Sequence, residues 1–278
     1  MRPAARRDLI VDLVRERQRV TVDFLADQLT TSRETIRRDL TELAARGLIN
    51  KFHGGATVPE VSGTGPKAEG SFQARMQDHL REKRTVAKRA AALFSPGDIL
   101  FIDTGTTTVI FAEELCRLSR LTAITNSVSI AQTIIRGEGN RAFLLGGEYS
   151  EDASENLGTL AVEQVSRFHA THAVLTVGAI EPDGVFDYNL DEAEIARAMI
   201  TQSRHVTVLA DRSKFDRSAL FQVCPLAAID RLVANDVPEA MIEALRFAEV
   251  ETILASVQSV VKIAGPQTSK NRAAKRVE

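Results

Sequence analysis

From Ile99 onward, seven short apolar runs recur, at 99–103, 121–125, 141–145, 172–178, 205–210, 230–234 and 250–254. Helix-like segments separate them, near 107–118, 127–136, 158–167, 190–203 and 238–247. The runs are continuously apolar and do not alternate with polar residues. Strands of that kind are buried on both faces, and the intervening helices provide the cover. The pattern predicts an α/β domain around a mostly parallel sheet. In such open sheets ligands sit beyond the carboxyl ends of the strands, so the turns that follow the runs are the places to look.

The chain has 278 residues, 44% of them hydrophobic, which is enough for two domains. No stretch approaches the ~20 consecutive apolar residues of a membrane span, and no leader-like apolar segment follows the basic start. A cytoplasmic protein with no membrane partner is expected. Cys116 and Cys224 have neither metal nor disulfide spacing. His169 and His172 lack a third ligand nearby, so no metal is expected.

The first 58 residues follow a different rule. They hold 11 Lys/Arg against 8 Asp/Glu, whereas the remainder holds 24 against 29. Leu9, Ile10, Leu13 and Val14 have helical spacing within Arg6–Arg17. Val20-Thr21-Val22 is a β-prone link, and Asp23 is placed to cap a helix over Phe24–Leu29. In TTSRETIRRDLTELAARGLI, Thr31 and Glu34 have capping-box spacing and Ser32 is the alternative cap. Ile36, Leu40 and Leu43 continue that third helix until Gly47. Leu48–Phe52 then reads as a strand, His53-Gly54-Gly55 as a tight turn and Ala56–Val58 as a returning strand.

Three helices and a β-turn-β unit make a winged helix-turn-helix. Its third helix would present Ser32, Arg33, Thr35, Arg37 and Arg38 to the major groove of double-stranded DNA. Arginine forks suit guanine edges and phosphates, and the hydroxyls suit phosphates or either type of base. Lys51 and His53 on the wing would lie near the DNA backbone, with Gly54 and Gly55 allowing the turn. Asp39 either pairs with Arg37 or Arg38 or secures packing to the first helix. The expected organisation is a DNA-binding domain at 1–58, a Gly/Pro/Ser-rich linker at 59–74, an effector domain at 75–262 and a polar tail at 263–278. The effector domain would open with a helix from Arg75 to Phe94.

The turn after the first apolar run reads DTGTTT, Asp103 to Thr108. A helix start offers unpaired N–H groups and the positive end of its dipole. Gly105 would let the backbone curl close to a ligand, and Thr104, Thr106, Thr107 and Thr108 would add hydroxyls, giving a phosphate nest. An ordinary β–α turn capped by threonine is the plainer alternative. Three more polar turns end later runs: Asn126-Ser127, Gly146-Gly147-Glu148 and Asp211–Lys214. Together the four turns predict one pocket for a phosphate ester. Lys214 would face the phosphate, while Glu148, Glu192 and Asp211 would accept sugar hydroxyls.

SRETIRRDLTELAARGLINKFHGGA resembles the N-terminal signature of the DeoR family of bacterial transcriptional regulators. DTGTTT, Asn126-Ser127, LGGE at 145–148, Gly158 and DRSKF at 211–215 are similar to that family's sensor domain, and Glu192 falls at a family motif position. VFDYNLDEAEIARAMI with RHVTVLADRSKF looks most like the glycerol-phosphate-repressor branch. The resemblance implies a repressor whose sensor domain is similar to sugar-phosphate isomerases. It also implies a phosphorylated sugar or polyol effector, glycerol 3-phosphate first, and no other cofactor. Operator DNA would be bound by a homo-dimer or tetramer. The competing reading is a sugar-phosphate isomerase with an accessory N-terminal domain, in which Asp103 or Glu148 would move protons.

Overall fold

The structure, a computed structural model, describes residues 3–17, 19–45, 49–52, 54–57 and 70–255. Gly47, Leu48, His53, Val58, residues 59–69 of the expected linker and the whole expected tail lie outside the described residues. The chain divides into two compact units between Gly65 and Pro66.

The first unit contains α1 (Pro3–Arg17), β1 (Arg19–Thr21), α2 (Val22–Gln28), α3 (Arg33–Ala45), β2 (Asn50–Phe52) and β3 (Gly55–Thr57). β3 lies between β1 and β2, antiparallel to both. Ile10 and Val14 of α1, Leu25 of α2 and Ile36, Leu40 and Leu43 of α3 close one apolar core with Ile49 and Ala56. This is a winged helix-turn-helix. Gly54 holds φ at 101°, a value that favours glycine. At Gly55 a Cβ would overlap the carbonyl oxygen of Val20 and the ring of Phe52.

One local expectation, the cap of α2, is corrected here, and two open alternatives, at the start of α3 and at Asp39, are resolved. Thr21, two residues before Asp23, caps α2 by accepting from the Phe24 N–H at 3.2 Å. Asp23 instead pairs with Arg33 at 2.7 Å. Ser32 caps α3 by accepting from the Thr35 N–H at 3.2 Å, while the Thr31 hydroxyl donates to the Leu29 carbonyl. Asp39 binds neither Arg37 nor Arg38: it accepts from Arg6 at 2.6 Å and Arg7 at 3.0 Å, tying α3 to α1.

The second unit opens with α4 (Phe72–Gln77) and α5 (Leu80–Ala91). The single helix expected over 75–94 is broken at His79, whose φ of 52° is left-handed. α4 also starts three residues inside the segment read as linker. Next come β4 (Ile99–Ile102), α6 (Thr106–Leu115), β5 (Thr122–Thr125), α7 (Val128–Ile134) and β6 (Arg141–Leu144). A hairpin of β7 (Glu148–Ser150) and β8 (Glu155–Leu157) leads to α8 (Thr159–Val165) and β9 (Ala170–Leu175). The remainder is β10 (Ala179–Glu181), β11 (Gly184–Asp187), α9 (Leu190–Thr201), β12 (Ser203–Ala210), β13 (Phe221–Cys224), β14 (Arg231–Ala234), α10 (Glu239–Phe247) and β15 (Glu251–Leu254).

Seven strands form one sheet in the order β15-β14-β12-β9-β4-β5-β6, every neighbouring pair parallel. These are the seven apolar runs. Along β4, Leu100 and Ile102 enter the core shared with α5, α6 and α7, while Phe101 enters the core shared with α8, α9 and α10. Two-sided burial is thus the reason the run never alternates. A small antiparallel sheet, β10-β11-β13, and the β7–β8 hairpin add to this frame. The strand order reverses between β4 and β9, with β5 and β6 laid to one side and β12, β14 and β15 to the other. The turn after β4 therefore lies at the topological switch point of the sheet.

Candidate functional site

At that switch point lies a small polar cleft, lined by Asp103, Thr104, Asn126, Glu155, Asp187, Glu192 and Ile195. β4 delivers Asp103 and Thr104, β5 leads to Asn126, the hairpin strand β8 brings Glu155, β11 ends in Asp187, and the first turns of α9 hold Glu192 and Ile195. Among the described residues one buried polar atom in it lacks a hydrogen-bond partner, Asn126 Oδ1, on a residue 2% exposed, while the hydroxyl of Thr104, 9% exposed, faces Glu155.

The cleft is acidic. Asp103 accepts from the Thr176 N–H through both oxygens, at 3.1 and 3.0 Å. Burial pushes its carboxyl well above the usual carboxylate range. The Thr176 N–H opposes that shift, and Asp187, Glu192 and Glu155 add to it. Glu155 accepts from the Asn126 amide at 3.1 Å. Burial pushes its carboxyl up to about 7, against the pull of Thr104, Asn126 and Arg75. Such a wall accepts hydroxyls well and repels a bare dianion.

The other expected effector residues lie outside the cleft lining. Gly105 is extended, and its lack of a Cβ serves a packing contact, since a Cβ there would overlap Thr176 Oγ1. Thr106, Thr107 and Thr108 form the buried first turn of α6, and Thr108 donates its hydroxyl to the Gly105 carbonyl at 3.0 Å. No side chain caps that helix. Ser127 caps α7, accepting from the Ile130 N–H at 3.4 Å. Gly146 is clasped by Gln164, while Gly147 and exposed Glu148 enter the outer hairpin strand. Asp211 caps a 3-10 turn, Arg212–Asp216, that carries Lys214. The sequence reading missed Glu155 and Asp187. Neither sits in a glycine- or threonine-marked turn, and Glu155 reaches the cleft only because the hairpin folds back.

The first unit presents a second surface. Ser32, Arg33, Arg37 and Arg38 are exposed along α3, and Thr35 is half-buried. Arg33 is held by Asp23, and Arg38 by Glu34 at 3.3 Å. Arg37 makes no side-chain hydrogen bond or ion pair among the described residues. Lys51 on β2 donates to Thr41 at 2.9 Å, placing the wing cation beside α3.

A winged helix-turn-helix and an α/β unit with a polar cleft, carried on one chain, define a two-part transcriptional regulator. Residues 6–61 match the DeoR-like helix-turn-helix domain, and residues 78–236 match the DeoR C terminal sensor domain. The chain belongs to the DeoR family and is a regulator, not an enzyme. It is 32% identical over 239 residues to the glycerol-3-phosphate regulon repressor of Escherichia coli (strain K12), spanning 86% of this chain and 93% of that one. The HTH-type transcriptional repressor CsqR of the same organism is 31% identical over 90% of this chain and 94% of its own. A ribose 5-phosphate isomerase A from Methanocaldococcus jannaschii aligns with 50% of this chain and 55% of its own, at 18% identity and a TM-score of 0.37. Among the described residues no helix is long and apolar enough to cross a membrane, and no group of three His, Cys, Asp or Glu side chains is set to hold a metal.

Proposed function

We propose that this chain is a repressor that binds double-stranded operator DNA through α3 and the wing, and that a phosphorylated sugar or polyol in the switch-point cleft changes its operator affinity. The observation that carries the effector reading is a buried, unpartnered atom facing the cleft, Asn126 Oδ1. Buried polar atoms without partners are unfavourable, and ligand hydroxyls relieve that. Carboxylates beside them accept further hydroxyls, and the uncapped start of α6 offers N–H groups to an anion. Glycerol 3-phosphate is the first ester to test, because one relative is named for its regulon.

Effector and operator act on each other by linkage, so each changes the other's affinity by the same factor. A dimer or tetramer working in the cytoplasm would match a repeated operator. The test is a thermal-shift panel of phosphorylated sugars and polyols, each beside its dephosphorylated parent. At about 100 times its Kd a ligand stabilises by roughly 2.7 kcal/mol, a shift of several degrees. A shift for one ester and none for its parent supports the reading. No shift across the panel removes the effector half of it.

A further inference from the structure

The wall of the cleft is not uniform. Asp103 and Thr104 follow β4, Asn126 follows β5, and Asp187, Glu192 and Ile195 belong to β11 and α9. Those elements are built into the two cores of the sensor unit. Glu155 comes instead from the β7–β8 hairpin, which contributes no buried residue to either core. Gly147 and Gly158 flank this hairpin. Gly158 holds φ at 86°, and a Cβ there would meet nothing within 4 Å, so backbone conformation rather than packing calls for glycine. The inner strand rests on the turn after β5. The Asn156 N–H donates to the Asn126 carbonyl at 2.9 Å, and the Val128 N–H donates to the Ser154 carbonyl at 3.0 Å. Asn126 thus seats the hairpin through its backbone and its amide, and faces the cleft with its unpartnered Oδ1.

At the tip of the hairpin, exposed Asp152 accepts from the Phe72 N–H at 2.9 Å. Phe72 is the first residue of α4, the first described element after the linker. α4 packs on α6, yet none of its residues is buried. A second tie to the hairpin is electrostatic, since Arg75 acts on Glu155. His79, left-handed at φ 52°, separates α4 from α5. A short, exposed helix held at its ends is among the easier parts of a fold to displace.

We propose that the hairpin is a lever between the effector cleft and α4, turning on Gly147 and Gly158, and that Asp152 is the positioning residue that passes its movement to the helix. This rests on the effector reading above. The cleft is small, so a sugar or polyol ester has to displace part of its wall, and the hairpin is the part outside the two cores. A ligand that engages Asn126 Oδ1 and Glu155 pulls on the residues that seat β8. Asp152 then gives or withholds the acceptor for the Phe72 N–H. Linkage requires an element of this kind, because a ligand changes operator affinity only through its preference for one of two states.

The experiment compares the full chain with Asp152→Ala and Asp152→Asn, all without ligand. Hydrogen exchange reports on the amides of α4 and β8, thermal unfolding is followed against pH, and operator DNA selected by the full chain from a random pool gives the affinity. Asp152 is exposed, so neither substitution threatens the fold. In Asp152→Ala, exchange is expected to speed up by about tenfold or more in α4 and β8 together. Burial holds the Glu155 carboxyl up at about 7, so a loosened hairpin should also lessen the fall of Tm between about 4.5 and 7. Operator affinity is expected to change several-fold. Asp152→Asn keeps an oxygen acceptor and should restore all three. Faster exchange in α4 alone, with the pH profile and operator affinity of the wild type, would make Asp152 a simple helix cap and overturn the lever, as would no change at all. A joint response of α4, β8 and the pH profile with operator affinity unchanged would sink the effector reading and leave the lever standing.

Discussion

The Asn126 amide donates to the Glu155 carboxylate across 3.1 Å, joining the turn after β5 to the hairpin strand β8. That contact holds a carboxyl in a place where ionisation is disfavoured. Glu155 titrates near 4.5 in the unfolded chain and about 7 when folded. A folded value above the unfolded one means stability that is complete below about 4.5 and is lost as pH rises through about 7. Asp103, also raised from its ordinary 3.8, acts in the same direction. Tm should therefore fall across this window, and Glu155→Gln should flatten the profile. A wild-type profile that rises over the same range would contradict the burial of these carboxyls.

Gly105 is set by its neighbour Thr176. Gly105→Ala should destabilise the sensor unit by about 1–3 kcal/mol, the usual penalty for overpacking. Because the overlap is with the threonine hydroxyl, the double variant Gly105→Ala/Thr176→Ala should recover much of that loss. Simple additivity in a denaturation series would mean the glycine matters for another reason.

On the DNA-binding face, Arg37 differs from its neighbours because Asp23 and Glu34 already engage Arg33 and Arg38. Arg37→Ala should weaken operator binding by about 1–3 kcal/mol if it reads a base. If it contacts phosphate, the salt slope should drop by about one. Effector-induced thermal shifts should be untouched in both cases. An Arg37→Ala protein with wild-type affinity and salt slope would place the interface elsewhere.

Asp39 has a structural part instead. Burial raises its pKa, and Arg6 and Arg7 outweigh that and lower it. Its contribution is present above about 3.8 and lost as pH falls. Asp39→Asn should cost the first unit about 1–3 kcal/mol. Hydrogen exchange should speed up in α1 and α3 and remain unchanged in the sensor sheet. Equal protection in both helices would contradict this anchoring.

The centre of the large sheet was legible because burial on both faces favours consecutive apolar residues, as at Leu100, Phe101 and Ile102. β7 and β8 were not, since strands of three residues, with Glu148 and Tyr149 of β7 exposed, carry no period. The break at His79 carried no glycine or proline to announce it. Within the site, Asp103, Thr104, Asn126 and Glu192 could be anticipated because they sit at strand ends or at the start of a helix. Glu155 and Asp187 could not. One depends on a hairpin folding back, the other on the end of β11 in the small antiparallel sheet, and neither relationship leaves a mark within a few residues of sequence. Ser32 and Thr31 stand one residue apart at the start of α3, and only the backbone path decides which of them caps it.

The most direct test is an operator titration at fixed salt. The full chain would bind DNA that it has itself selected from a random pool, with and without each phosphorylated polyol and its parent alcohol. The predicted result is a change in operator affinity of several-fold or more with one phosphate ester and none with its parent. Salt-dependent operator binding that no phosphate ester alters would contradict the proposed switch, and the cleft behind DTGTTT would have no regulatory role.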